Sequence, residues 1–596
     1  MKNRKAAGVD KTRRKFMAYF SGLGLGSTLV PGILWARMQD AGAQTVSLAM
    51  VTDALKLGGV EFTEDERKQM VAGANQSLTR AKAIQEFHIP NDVSPPFHVS
   101  AIVPGVVVNK VAKPVAFSKP PSVKVPGNLE DVAFWPVRHL SELLRTKQVS
   151  SVELTKMYLD RLHRYDKILL NTVTFLDELA LTQAKAADTD IAAGRFRSAV
   201  HGIPWGCKDI INVKGYPATW GSASMKNNIP EFDASVVEML REGGAVLIAK
   251  LTTGEMAQGA NWFGGMTRNP WSVSTGSGGS SAGPGSATGA GCVGFSIGTE
   301  TSGSILGPSR TCGVTGLRPT FGRVSRYGVM ALGWTYDRLG PMCRYAEDCA
   351  MVMSVVAKPD GRDMSISDLP FNWNPAGMDI RKLKIGVTGM EGPISPEGQK
   401  MMDVLKSLGA TLTPLTIPNS KLPAYSDGYN FEQGAFFDEF VRAGKVAQMT
   451  NPPRGNGFKS ARLMNVVDYL QMSRIRMMSM MELAKATSGF DVYFSAAAGG
   501  NRGGGGRGAR GGGAAAAAPN TPAAPPQPGP PNNNAAGYPG VQVATMFSEP
   551  TEAAPAGLPQ GVTLFGPPFK ETEILFVAKA FQDAAQLHTR KPILKV

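Results

Sequence analysis

A chain of 596 residues, 43% hydrophobic and 19% charged, has the composition of a soluble globular protein and the length for a large buried core. Its formal charge of +15 raises nucleic acid or a membrane surface as a partner. The placement of the charge argues against a nucleic-acid partner: residues 1–43 hold eight Lys/Arg against two Asp, and 499–531 hold Arg502, Arg507 and Arg510 with no acid, which leaves about +6 elsewhere.

The chain opens on an address. Arg13-Arg14 precede Lys15-Phe16-Met17, a weakly apolar stretch runs to Ala36, and Ala41-Gly42-Ala43 follows. Basic region, apolar region and A-x-A site come in the order of a bacterial export signal, and the arginine pair makes 1–43 resemble a twin-arginine signal peptide. Periplasmic or secreted location and passage through the twin-arginine export machinery are expected. The competing reading is an uncleaved membrane anchor, against which Pro31 and the glycines Gly22, Gly24 and Gly26 weigh.

Residues 44–131 are expected to form an N-terminal extension without assignable chemistry, helix-like at first and then, from Pro90 to Pro126, an extended strap. From 132 to 596 the text alternates. Leu140 to Ser150 and Ser151 to Tyr165 predict helices, the second with a Ser-x-Glu start, and Ala234 to Glu242 predicts another. Ala245 to Ala249 predicts a short buried strand, and Glu571 to Phe581 an amphipathic helix. This alternation gives an α/β layered domain. Residues 499–531 are Gly, Ala and Pro with almost no large apolar side chain, so a disordered insertion is expected. A domain linker is the rival, but Phe565–Val596 is too small to fold alone.

Cys207, Cys292, Cys312, Cys343 and Cys349 are odd in number and lack metal-ligand spacing. Buried thiols are expected, with no metal and no cofactor.

Two Gly/Ser clusters, Ser277 to Gly283 and Gly298 to Ile305, flank the apolar Val293, Phe295 and Ile297. Glycine lets backbone N–H groups approach a bound oxygen. The Walker pattern is absent, and the apolar residues between the clusters predict a strand rather than a linker. A serine nucleophile needs a base. None of the six histidines lies in these clusters and no G-x-S-x-G elbow accompanies them. Lys208, ending the apolar run Gly202 to Cys207, is the substitute: burial lowers a lysine pKa and favours the neutral amine.

Taken together, His201-Gly-Ile-Pro through Lys208-Asp209, Gly278-Gly-Ser-Ser281, Gly298-Thr-Glu-Thr-Ser-Gly-Ser-Ile305, Cys312-Gly-Val-Thr-Gly-Leu-Arg-Pro-Thr-Phe-Gly-Arg-Val-Ser325 and Leu339-Gly-Pro341 resemble the amidase-signature family. Asn534 to Pro539 and Gly566 to Phe569 look like its closing segments. The resemblance implies a three-layer α/β/α fold with a mixed central sheet. It also implies a hydrolase of carboxylic amides in which Ser304 is the nucleophile, Ser280 a bridging serine on a cis peptide bond and Lys208 the general base. The backbone N–H groups of Thr301, Ser302, Gly303 and Ser304 are the implied oxyanion hole, and a small amide is the implied substrate. The chain departs from the family pattern at Glu300, often Asp, at Ser302, often Gly, and at Leu306, often Arg. Thr253 stands where Met is common. Thr253 and Leu306 are therefore candidate substrate-binding positions, with Trp262, Phe263 and Trp334 as further candidates for the cavity wall. Two alternatives stay open: the A-type subunit of a glutamine-hydrolysing aminoacyl-tRNA amidotransferase, and an inactive binding protein of the same fold.

Overall fold

The computed structural model describes residues 46–57, 61–71, 74–75, 99–119, 122–422, 428–461, 466–498 and 530–595. The signal-like 1–43, and 499–529 of the low-complexity stretch, lie outside the described residues.

Eleven strands form one sheet among the described residues. In chain order they are β1 Thr172–Phe175, β2 Pro204–Lys208, β3 Val246–Leu251, β4 Phe295–Glu300, β5 Thr315–Arg318, β6 Arg338–Cys343, β7 Ile385–Thr388, β8 Leu412–Pro414, β9 Val492–Ser495, β10 Gly540–Phe547 and β11 Pro559–Phe565. They lie side by side as β1-β3-β2-β4-β6-β5-β10-β11-β9-β7-β8. The sheet is mixed: β3-β2-β4 and β9-β7-β8 are parallel sets, and antiparallel pairs join them. Strands β2, β3, β4 and β6 are buried along their whole length, as strands covered by helices on both faces must be. This is the three-layer α/β/α arrangement expected from the sequence. Strands β10 and β11, which follow the low-complexity stretch, sit between β5 and β9 in the middle of the sheet.

The expected helices appear as Val137–Arg145, Ser151–Leu169, Ser235–Glu242 and Glu571–Ala585. One detail differs. The second helix is capped by Ser150, not Ser151, because Glu153 at the third helical position reaches back to the Ser150 N–H while the Ser150 hydroxyl accepts from the Glu153 N–H. Six of the eight residues of helix Ala282–Gly289 are Gly, Pro, Ser or Thr, of low helix propensity, and its packing explains why it forms. A Cβ on Gly283 would lie 2.3 Å from the Thr252 backbone nitrogen and one on Gly289 2.6 Å from the Cys312 carbonyl oxygen. Small residues let this helix touch the backbone on two sides.

Before the sheet, the chain runs without regular structure over 99–119 and 122–128. Its backbone N–H groups bond to the body: Lys113 to the Asn372 side chain at 2.8 Å, Ala116 to the Trp373 carbonyl at 2.8 Å and Ser118 to Glu347 at 2.7 Å. Val103 is buried with Leu483, Tyr493 and Tyr538. All five cysteines are buried free thiols.

Candidate active site

The parallel pairing of β2 with β4 sets Cys207 opposite Ile297. Lys208, one residue further on, and Thr299, two residues further on, meet where these strands end. Lys208 Nζ donates to Ser280 Oγ and to Thr299 Oγ1, both at 2.8 Å. The peptide bond between Gly279 and Ser280 is cis. Gly279 has to be glycine because a Cβ there would lie 1.9 Å from the Gly259 carbonyl oxygen. The loop through Gly259 thus packs directly on the bridging peptide.

Among the described residues two lysines are completely buried, and they differ in partners. Lys250 pairs with Asp209 at 2.9 Å. Among the described residues no carboxylate pairs with Lys208. Burial pulls the Lys208 pKa down to about 7, with the more distant carboxylates of Asp337 and Glu300 opposing the fall. Near neutrality a large share of Lys208 is the free amine, which is the state a base requires.

Ser304 follows β4 on a turn that is partly exposed, and its carbonyl accepts from the Ser281 N–H at 3.1 Å. That bond ties the Ser304 turn to the residue after Ser280. Gly303 has φ +123°, a left-handed value that favours glycine. Among the described residues the N–H groups of Ser302, Gly303 and Ser304 have no acceptor, so they are free to receive an oxygen. Glu300 braces the far side of the turn: one carboxylate oxygen accepts from the N–H groups of Ile305 at 2.8 Å and Leu306 at 2.9 Å, and the other pairs with Arg318 at 2.9 Å. Asn534, from the closing segment, donates to the Thr301 carbonyl and accepts from Arg338.

A small cavity of about 50 Å³ lies beside this cluster, with Thr299, Thr301, Met330, Leu332, Trp334 and Asp337 among its lining residues. Trp334 is thus on the wall, as considered from the sequence. Leu306, Thr253, Trp262 and Phe263 do not line it. Leu306 is buried at the first position of helix Leu306–Cys312. The buried Thr253 hydroxyl donates to the Gly254 carbonyl at 3.2 Å, and Trp262 meets Phe263 edge-on at 4.7 Å. The structure therefore brings Lys208 and Ser280 together beside the turn of Thr301 to Ser304, and of the pocket candidates places Trp334 on the cavity wall and leaves Leu306, Thr253, Trp262 and Phe263 apart from it. Sequence reading missed Thr299 and Asp337. Thr299 was inside the Gly298–Ile305 run, whereas nothing in the local text marked Asp337.

The family model described as Amidase matches residues 153–575. The A-type subunit of glutamyl-tRNA(Gln) amidotransferase from Methylococcus capsulatus is 32% identical over 484 residues, which is 75% of this chain and 96% of that protein. The subunit of the same name from Chloroflexus aggregans is 33% identical over 480 residues, 76% of this chain and 96% of its own. Among solved structures, native peptide amidase from Stenotrophomonas maltophilia superposes with a TM-score of 0.61 at 24% identity, covering 78% of this chain and 99% of that one. A bacterial aryl acylamidase of the amidase signature family does so with a TM-score of 0.62 at 20% identity, covering 78% and 100%. At such identities these two likenesses speak for the fold.

Proposed function

The chain belongs to the amidase family, hydrolases of carbon–nitrogen bonds, and from that premise we propose that it cleaves a carboxylic amide through an acyl-enzyme on Ser304. The observation that carries this reading is the buried, carboxylate-free Lys208 bonded to Ser280 at 2.8 Å. Neutral Lys208 takes the Ser280 hydroxyl proton as Ser280 takes that of Ser304, and Ser304 Oγ attacks the amide carbon. The N–H groups of Thr301 to Ser304 receive the negative oxygen, the kind of fixed donor whose loss typically costs about 3 kcal/mol of barrier. The amine leaves with the proton returned through Ser280, and water then releases the carboxylate by the same path.

A fluorophosphonate probe tests the assignment. It is expected to label the wild type on Ser304, and labelling and amide hydrolysis are both expected to vanish in Ser304→Ala. Labelling that survives the substitution overturns Ser304 as the nucleophile.

Two substrates compete. The names of the curated relatives favour the alternative, the A-type subunit of a glutamine-hydrolysing aminoacyl-tRNA amidotransferase. The cavity wall favours a neutral amide: Met330, Leu332 and Trp334 are apolar, and the two arginines beside them, Arg326 and Arg362, are already paired with Asp363 and Glu238. Leu306, where many family members present arginine, lies buried outside this cavity and does not bear on the choice. An uncharged aliphatic or aryl amide is expected to give the higher kcat/KM when compared with glutamine. A wild-type preference for glutamine reverses the choice and leaves the triad intact.

The Arg13-Arg14 run supports export, which the tRNA-linked reading does not need, because that work is cytoplasmic. Replacing both arginines by lysine is expected to strand unprocessed protein in the cytoplasm. Normal export of the double variant, read by fractionation, removes the twin-arginine route.

A further inference from the structure

Asp337 stands one residue before β6, partly buried in a polar knot. One carboxylate oxygen accepts from the Thr301 hydroxyl at 2.5 Å. The other accepts from the N–H groups of Leu332 at 2.7 Å and Gly333 at 3.0 Å. A single side chain therefore spans two loops. One is the turn Thr301–Ser304, which carries the nucleophile and the N–H groups aimed at the oxyanion. The other, 332–336, carries Trp334 on the cavity wall.

The second loop is held from its other side as well. Glu432, on helix Gly428–Phe436, accepts from the Thr335 N–H at 2.9 Å and the Thr335 hydroxyl at 2.6 Å. Arg476, on helix Val466–Thr487, donates to the Thr335 carbonyl and hydroxyl, both at 2.8 Å. Phe436 packs against Trp334 with ring centroids 6.0 Å apart. A connected path runs from these outer helices through Thr335 and Asp337 to Thr301.

We infer that Asp337 is a positioning residue for the reaction proposed above, fixing the nucleophile turn against the cavity-wall loop through its two carboxylate oxygens. The inference rests on the Ser304 reading, since a turn that carries no nucleophile needs no such register. Burying a carboxylate is costly unless its oxygens are matched by donors. Here three donors converge on it, and they come from the two loops whose spacing the reaction needs. Asp337 touches no reacting atom and acts through Thr301.

The test compares Asp337→Asn, Thr301→Val and Ser304→Ala with wild type, using kcat, KM, the pH profile and thermal melts. Thr301→Val keeps the shape of the side chain and removes one link. It is expected to lower kcat by roughly ten- to a hundredfold, less than the ~10²–10³ that follows loss of an oxyanion donor, with KM little changed. Asp337→Asn is expected to lower kcat similarly and to move the acidic limb of the profile to lower pH, because it removes a negative charge that favours protonated Lys208. The charged groups facing this knot are Lys208, Glu300, Arg326, Arg338, Arg362, Asp363, Glu432 and Arg476. All keep their charge in Thr301→Val, so that variant is expected to leave the limb in place. A merely structural role predicts lower melting temperatures with kcat and the limb unmoved in the folded fraction, and that result overturns the inference. So does wild-type kcat in both variants beside an inactive Ser304→Ala. An active Ser304→Ala instead defeats the underlying Ser304 reading, so the two failures are distinguishable.

Discussion

Lys208→Ala is expected to lower kcat by about 10²–10⁴-fold, the usual contribution of a positioned general base. The wild-type profile supplies the second half of the test. With a Lys208 pKa of about 7, the neutral fraction rises with pH through neutrality, so kcat/KM is expected to fall on the acidic side of pH 7 and to level off above it. A flat profile on that side removes the neutral-lysine mechanism. The same burial has a stability consequence of definite sign. The Lys208 pKa lies below its ordinary value of 10.5, so between pH 7 and 10.5 the unfolded chain binds more protons than the folded one. Stability then rises with pH across that window from this group. Below pH 7 Lys208 is protonated in both states and its contribution is constant. Lys208→Met is expected to abolish this component of the slope, measurable as the difference between variant and wild-type urea midpoints at pH 7 and pH 9.5. The penalty resides in the residue the reaction requires, the usual trade between stability and a working site.

How far the site was legible in sequence depends on whether its parts are local. Lys208 ends an apolar run, Ser280 and Ser304 sit in glycine-rich clusters, and Phe295 and Ile297 announce the strand between them, so residue type and neighbours marked all of these. The sheet order was not legible: β10 and β11 enter its middle more than 200 residues after β5, on which β10 pairs, and no local pattern encodes such a pairing. The helix Ala282–Gly289 was invisible for a related reason, since tertiary packing overrides its poor intrinsic propensity. Asp337 sits in the stretch Gly333-Trp-Thr-Tyr-Asp337, where an aspartate reads as a turn residue. Only the folded chain shows Thr301 and the Leu332 and Gly333 amides converging on it. The Leu306 position was read from family habit, but its place at the start of a buried helix depends on Glu300, five and six residues before the bonds' donors, taking the Ile305 and Leu306 amides.

That brace leads to the second large effect. Glu300 and Arg318 form an ion pair in which both side chains are essentially inaccessible to water, at 2.9 Å. Removing one partner from such a pair commonly costs about 3–5 kcal/mol, because the remaining charge keeps its desolvation penalty and loses its compensation. Arg318→Met is therefore expected to destabilise the protein by about that amount, seen as a fall in the urea midpoint. Arg318 also donates to the Tyr538 carbonyl at 3.0 Å, so the closing segment loosens with it. Glu300→Gln differs in kind. The amide keeps one oxygen for the Ile305 and Leu306 N–H groups but gives up the charge, leaving Arg318 as the unpaired partner. If the pair itself dominates, the double variant Glu300→Gln with Arg318→Met is expected to be more stable than the sum of the single losses, since no buried charge is then left alone. Activity is expected not to recover in parallel, because a neutral amide holds the nucleophile turn less firmly than a carboxylate receiving two backbone N–H bonds. Glu300→Asp separates charge from reach: it keeps the charge on a side chain one methylene shorter. Family members often carry Asp here, yet in this chain the turn is seated on glutamate, so the shorter acid is expected to lower kcat while largely sparing the urea midpoint. Single losses that simply add in the double variant, with kcat following stability throughout, would show that Glu300 serves the core alone and leaves the register of Ser304 to other contacts.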